Sequence, residues 1–445
     1  MNCGLCYFGL MLYFLTSNTF SYETSSFSST LDYRDFAAGK FKDILTDSCY
    51  NIGEQQIERR NTKPEFNNIS RSIKTEDILL TLGSNFLTNR TTSSDHDDRM
   101  VEGVYKLHIL PNGPVSGAVC LDGGAWCHDA DTCYQRSSTA LGSSTCFRHD
   151  VHLEGLLSNQ VKYNPDFYNW TSVFVAYCDG ASFTGNREKP LKVKNKLLYF
   201  RGRRILDAIL DELLRRGIDN ASEIILSGRS AGALAAIIHA DYIRSRFRRV
   251  TNASFRVLAD AGFFVDAPSL NGTEIIRSVF RQMSSLHNSS TSLNHACLHA
   301  QEREQEWRCF FPQNSLPFVA SPVFLVNSLY DLWQIAYLSN IRCVLNIKTC
   351  NSTESFHIMK FREKTLHALR SVFDSSNETA VFADSCLVHT QCVMNALWTK
   401  IQVKNVTIAQ AFANWYRGGD EDRFRIDCIY PCNLTCPKHY RIKRG

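Results

Sequence analysis

The stretch Ile224-Ile225-Leu226-Ser227-Gly228-Arg229-Ser230-Ala231-Gly232-Ala233-Leu234-Ala235-Ala236-Ile237-Ile238 decides the fold. An apolar run, a pentapeptide with a serine at its centre and an alanine-rich apolar segment predict a strand, a sharp turn and a helix, the form of a nucleophile elbow. Glycines two before and two after the serine leave room where such a turn crowds neighbouring backbone. A serine held this way presents its hydroxyl to solvent, with the positive end of a helix dipole behind it. Without its surroundings, Gly-x-Ser-x-Gly is also an ordinary small-residue turn.

A serine nucleophile needs a base and an acid to orient that base, and strand-turn-helix hydrolases supply them downstream in the order serine, acid, histidine. Pro322-Val323-Phe324-Leu325-Val326 reads as a buried strand, and Asn327-Ser328-Leu329-Tyr330-Asp331 follows it. Asp331 thus falls just past a strand end, where functional groups gather in open α/β sheets. Val381-Phe382-Ala383-Asp384-Ser385-Cys386-Leu387-Val388-His389 then places a histidine after another short apolar run. The chain has 13 histidines, and order along the chain singles this one out.

Further strands are predicted over 173–177, 222–226 and 255–260, and an amphipathic helix over 197–216 with Leu198, Ile205, Ile209 and Leu213 on one face. Strands alternating with helices argue for an α/β fold with a mostly parallel central sheet flanked by helices. Asp260, at a strand end, is a second candidate acid, to which a structural role is assigned. Residues 99–437 are long enough for a single large domain with its own core. Residues 22–98, rich in Ser, Thr, Asn and charge, read as a poorly ordered leader, and 438–445 as a basic tail.

The blocks Gly124-Ala125-Trp126-Cys127, Tyr177-Cys178-Asp179-Gly180-Ala181-Ser182-Phe183-Thr184-Gly185, Ser227 to Gly232, Ala259-Asp260-Ala261-Gly262-Phe263-Phe264-Val265-Asp266, Tyr330-Asp331-Leu332-Trp333-Gln334-Ile335, Asp384 to His389 and Ile426-Asp427-Cys428-Ile429-Tyr430-Pro431-Cys432-Asn433-Leu434-Thr435-Cys436 resemble the pectin acetylesterase family, in family order. Their wording resembles its pectin acetylesterase branch more than its Notum branch. The resemblance implies an α/β-hydrolase-like fold and ester hydrolysis with neither metal nor cofactor. It makes Ser230 the nucleophile, Asp331 the acid and His389 the base, with the N–H groups of Gly124, Ala125 and Ala231 as the oxyanion hole.

Three departures stand out. Where the family carries a small residue or cysteine, this chain has Arg229, placed to salt-bridge beneath the elbow or to reach an acidic substrate. Ala233 replaces a glycine. The largest is that Gly117-Ala118-Val119-Cys120-Leu121-Asp122-Gly123 runs straight into Gly124-Ala125, whereas relatives insert a hairpin and a core strand there. The strand that should aim Gly124 and Ala125 is therefore expected to be missing, unless the run 115–121 slides into its place.

A formal net charge of +5 over 445 residues is too small and too dispersed for nucleic-acid binding. The basic runs 201–204 and 244–249 fall on predicted helices and read as solvated faces, or as attraction for an acidic polysaccharide. Residues 4–16 form a short apolar core, too short for a membrane span, so a signal peptide over 1–21 is predicted. No later stretch predicts a stable membrane insertion. Of 17 cysteines, Cys3 and Cys6 lie in that segment, and pairing of most of the rest is expected in an oxidising compartment. Disulfides are preferred over zinc for Cys428, Cys432 and Cys436. Eleven N-x-Ser/Thr sequons, from Asn68 to Asn433 and including Asn405, fit secretion. The expected substrate is an acetylated polysaccharide or other acyl ester. The alternatives are a Notum-like protein O-deacylase and a non-enzymatic glycan-binding or interaction protein. Oligomeric state is left open.

Overall fold

The computed structural model describes residues 116–144, 153–248, 253–419 and 423–438, with the backbone of three short strand segments, Leu12–Tyr13, Ile78–Leu80 and Tyr105–Leu107. The expected signal peptide, leader and all but the first residue of the basic tail lie outside the fully described residues.

Seven strands form one parallel sheet: β1 (Ser116–Leu121), β2 (Thr171–Val175), β3 (Glu223–Arg229), β4 (Ser254–Asp260), β5 (Val323–Ser328), β6 (Thr379–Asp384) and β7 (Phe424–Ile426). Their spatial order is β2-β1-β3-β4-β5-β6-β7, with Leu12–Tyr13 adding an antiparallel edge outside β2. The central strands β1, β5 and β6 are buried at every position, which is why they read as unbroken apolar runs rather than alternating ones. Helices α1 (Ala130–Arg136), α2 (Gly202–Arg215), α3 (Ala231–Arg248), α4 (Ile275–His287), α5 (Ser352–Ser375) and α6 (Ile408–Tyr416) complete the elements used below. Ile205, Ile209 and Leu213 of α2 and most of α3 join one core on one face of the sheet. Phe324, Phe382, Trp398 and Phe412 form the other core on the opposite face.

The chain leaves β1 for β2 on one side and returns to β3 on the other. This reversal opens a crevice at the carboxyl ends of β1 and β3, the place where open α/β sheets carry their sites.

Two expectations are corrected. The helix predicted over 197–216 begins only at Gly202, because Lys196–Leu198 pairs with Leu191–Val193 in a hairpin and takes Leu198 with it. The place of the strand expected to be missing is filled from the run 115–121, the exception the sequence allowed. Ser116–Leu121 pairs with Thr171–Val175 on one side and with Glu223–Gly228 on the other, so β1 runs directly into Gly123-Gly124-Ala125. Two-sided parallel pairing fixes the register that the sequence left open.

Arginines of both basic runs are tied down. Arg203 pairs with Asp207 and lies over the Tyr242 ring, and Arg246 pairs with Asp207 and Asp211, cross-bracing α2 and α3. Disulfides join Cys127–Cys133, Cys297–Cys309, Cys343–Cys350, Cys386–Cys436 and Cys428–Cys432, so the C-terminal cysteine cluster is used in two bridges. No helix among the described residues is long and apolar enough to cross a membrane.

Candidate active site

Ser230 stands between the end of β3 and the start of α3 with φ 54°, the left-handed region that a serine occupies at a cost of about 1–3 kcal/mol. Its surroundings enforce that conformation. The Ser230 N–H donates to the Asp260 carbonyl at 2.8 Å, and the Ser230 carbonyl accepts from Leu234 at 3.0 Å. A Cβ on Gly228 would lie 2.2 Å from the Gly232 carbonyl oxygen, and one on Gly232 would lie 2.1 Å from that of Leu121. The elbow therefore demands one glycine, and its contact with β1 demands the other. The methyl of Ala233 fits because residue 262 is a glycine, whose own Cβ would come within 2.5 Å of it.

Asp331 lies three residues past β5 and His389 five residues past β6. The structure brings both to Ser230. His389 Nε2 is 2.9 Å from Ser230 Oγ, and His389 Nδ1 is 3.0 and 2.9 Å from the two Asp331 carboxylate oxygens. Asp331 is fully buried, and its Oδ1 also accepts the Gln334 N–H at 2.9 Å, which offsets part of the cost of burying a carboxylate. Trp333 stacks on the imidazole at 5.6 Å, fixing the ring plane. This arrangement can take a proton from the serine and hold the resulting imidazolium.

The turn after β1 approaches from the other side. A Cβ on Gly123 would lie 2.9 Å from Ser230 Cβ, so turn and elbow touch. Two side chains grip its carbonyls: Arg136 Nη1 donates to Gly124 O at 2.8 Å and Tyr177 Oη to Ala125 O at 2.9 Å. Carbonyl and N–H point opposite ways across a trans peptide, so the hold on Gly124 O turns the Ala125 N–H away from Arg136. Ala231 is the first residue of α3, and its N–H has no acceptor within the helix. Arg136 is itself positioned by Tyr177, over whose ring its guanidinium lies at 5.1 Å, and by the Cys127–Cys133 bridge that joins α1 to the turn.

Arg229 pairs with Asp122, the residue whose carboxylate also accepts the Gly123 N–H at 2.7 Å. It ties the end of β3 to the start of the turn, the first of the two roles its sequence position allowed. Asp260 receives the N–H groups of Gln391 and Cys392 at 2.7 and 2.8 Å, so it fixes the loop behind His389 instead of orienting its imidazole. Burial holds the Asp260 carboxyl up at about 6 against the downward pull of these two donors. Arg136, Tyr177 and Trp333 are the contributors that sequence reasoning did not assign. Tyr177 and Trp333 sit inside quoted blocks, whereas Arg136 is in none of them.

An α/β-hydrolase-type sheet carrying a serine, histidine and aspartate in hydrogen-bonded series defines a hydrolase of the serine class. The chain belongs to the pectinacetylesterase family, whose sequence profile matches residues 104–437. It is 38% identical to "Pectin acetylesterase 7" of Arabidopsis thaliana over 75% of this chain and 93% of that one. It is 37% identical to "Pectin acetylesterase 5" of the same plant over 73% and 77%. Similarity to the "Palmitoleoyl-protein carboxylesterase notum2" of Xenopus laevis is lower, 28% over 79% of this chain and 78% of the other.

Proposed function

We propose that this protein is a secreted serine carboxylesterase that removes O-acetyl groups from a polysaccharide through an acyl-enzyme. The observation that carries the reading is the unbroken hydrogen-bonded series Ser230–His389–Asp331 in a chain 37% and 38% identical to two pectin acetylesterases. Ser230 Oγ attacks the acetyl carbonyl while His389 Nε2 takes its proton. The carbonyl oxygen, now negative, is received by N–H groups of the Gly124–Ala125 turn and of Ala231. Collapse breaks the bond to the sugar oxygen, which leaves with the proton from His389. Water then attacks the acetyl-serine by the same path in reverse, releasing acetate and restoring Ser230. Asp331 keeps the Nδ1 proton in place and stabilises the imidazolium at each proton transfer.

Two further observations support parts of this reading. Trp126, Phe264, Phe280 and Trp333 pack edge to face beside the turn, with Trp126 ring centroids 4.7, 5.1 and 6.1 Å from the others, a filled wall that favours a small acyl group. The disulfides favour an extracellular place of work. The deciding experiment compares wild type and Ser230→Ala on acetylated pectin, a small acetyl ester and a long-chain acyl ester. Acetate release by wild type and its loss in the variant, with thermal unfolding unchanged, are expected. Turnover of the long-chain ester alone would move the chain to the protein-deacylase reading, and near-wild-type acetate release by Ser230→Ala would remove the serine from the site.

A further inference from the structure

A groove of about 380 Å³ lies far from the elbow, along α6 and the hairpin Gln402–Val403/Val406–Thr407, lined among others by Asn405, Gln410, Asn414, Trp415, Arg423 and Arg425. Its size is within the roughly 300–1,000 Å³ of small-ligand pockets. The hairpin turns on two residues, Lys404 and Asn405, with φ of 52° and 63°. That turn leaves Asn405 exposed at the rim, and among the described residues its amide has no hydrogen-bond partner. Asn405-Val406-Thr407 is also a sequon. Trp415, packed against Phe324 and Phe412 at 5.3 and 5.9 Å and with the Arg256 guanidinium 5.9 Å over its ring, is the aromatic part of the lining, with Gln410 and Asn414 as polar groups beside it.

We propose that Asn405 carries an N-linked glycan whose first sugars lie in this groove against Trp415. Sugar rings bring an apolar face for an aromatic side chain and amide and hydroxyl groups for the polar rim, which matches the lining. Attachment forms a bond from Asn405 Nδ2 to the anomeric carbon of a lipid-pyrophosphate-linked oligosaccharide. The sugar–phosphate bond of that donor breaks and one amide proton is lost. The proposal requires passage through the secretory pathway but not esterase activity, so the two fail separately.

A neighbouring sequon supplies the contrast. Asn433 gives its amide hydrogens to Gln402 O at 2.7 Å and Asp427 Oδ2 at 2.6 Å, and its Oδ1 accepts from Thr435. A glycosylated amide keeps one hydrogen, so a glycan on Asn433 would break one of these two bonds and oppose this fold. Asn271, by contrast, is exposed beside Gly272, where an added Cβ would meet nothing within 4 Å.

The test uses the full chain secreted from eukaryotic cells, with glycopeptide mass spectrometry and timed release of glycans by a peptide amidase on native protein. Expected are occupancy at Asn405, none at Asn433, and native release from Asn405 about tenfold slower than from occupied exposed sequons such as Asn271. Trp415→Ala, or Asn414→Ala if that variant folds poorly, should bring the Asn405 rate up to the others. An unmodified Asn405, or release at the common rate in wild type, overturns the proposal. So would an unmodified Asn405 together with polygalacturonate binding that Arg425→Gln abolishes, which would give the groove to an acidic polysaccharide.

Discussion

Two turns meet at Ser230, and they are held by opposite chemistry. The turn after β1 is gripped by donors: Arg136 and Tyr177 take the carbonyls of Gly124 and Ala125. The loop after β6 is gripped by acceptors: Asp260 takes the N–H groups of Gln391 and Cys392, and Asp384 that of Cys386 at 2.9 Å. Tying up carbonyls leaves N–H groups to face the reaction from one side. Tying up N–H groups leaves the carboxyl groups of Asp331 and Asp260 beside the histidine on the other. Ester attack separates charge, negative on the carbonyl oxygen and positive on the imidazole. Each turn is built for one sign of it.

The sharpest break comes from the histidine side. Asp331→Asn keeps the shape of the acid but reverses its hydrogen-bonding preference, so the wrong imidazole tautomer is favoured. A fall in kcat of about 10⁴ with KM little changed is expected on an acetyl ester. Should Asp260→Asn produce that loss and Asp331→Asn not, the two acids would exchange roles and the contrast drawn above would collapse.

On the donor side the expected effect is smaller. Losing an oxyanion donor outright costs about 10²–10³ in rate, which sets the ceiling for freeing the turn that carries one. Arg136→Gln should lower kcat by about 10- to 100-fold with KM held, because the carbonyl grip matters only once the oxygen is charged. Tyr177→Phe should act in the same direction. A rise in KM at constant kcat in both would make this turn a substrate-binding feature and not an oxyanion support.

The smallest effect is one of stability. Burial raises the Asp384 carboxyl to about 7. The folded chain therefore keeps a proton that the unfolded chain releases near its ordinary value of about 4. Stability contributed by this group is full at low pH and declines as pH rises from about 4 through about 7. Asp384→Asn removes the decline, so the variant's Tm should gain on wild type between about pH 5 and pH 8. Parallel Tm curves would show that this carboxylate ionises without cost and belongs with Asp260 as a charged partner of the histidine loop.

The elbow and the order serine, acid, histidine were legible because each residue follows an apolar run ending at the same edge of the sheet. Asp260 was legible as a strand-end acid, and its use was decided only by which N–H groups the fold brings to it. The role of 115–121 was not legible, since an apolar segment ending in glycines suits either of two strands until its neighbours choose. Arg136 was invisible for another reason. It acts on a main-chain carbonyl twelve residues away, and every residue offers the same carbonyl, so no spacing marks the partner.

Cys120 and Cys392 are unpaired and fully buried, one in the strand that feeds the first turn and the other at the end of the histidine loop. Burial lifts the Cys120 thiol to about 12 and moves Cys392 in the same direction, so hardly any thiolate exists in the closed protein. An alkylating reagent must wait for each segment to come away from the core before it can react. The two labelling rates, read separately by mass, therefore time how often each side of the catalytic crevice opens, with no added reporter group.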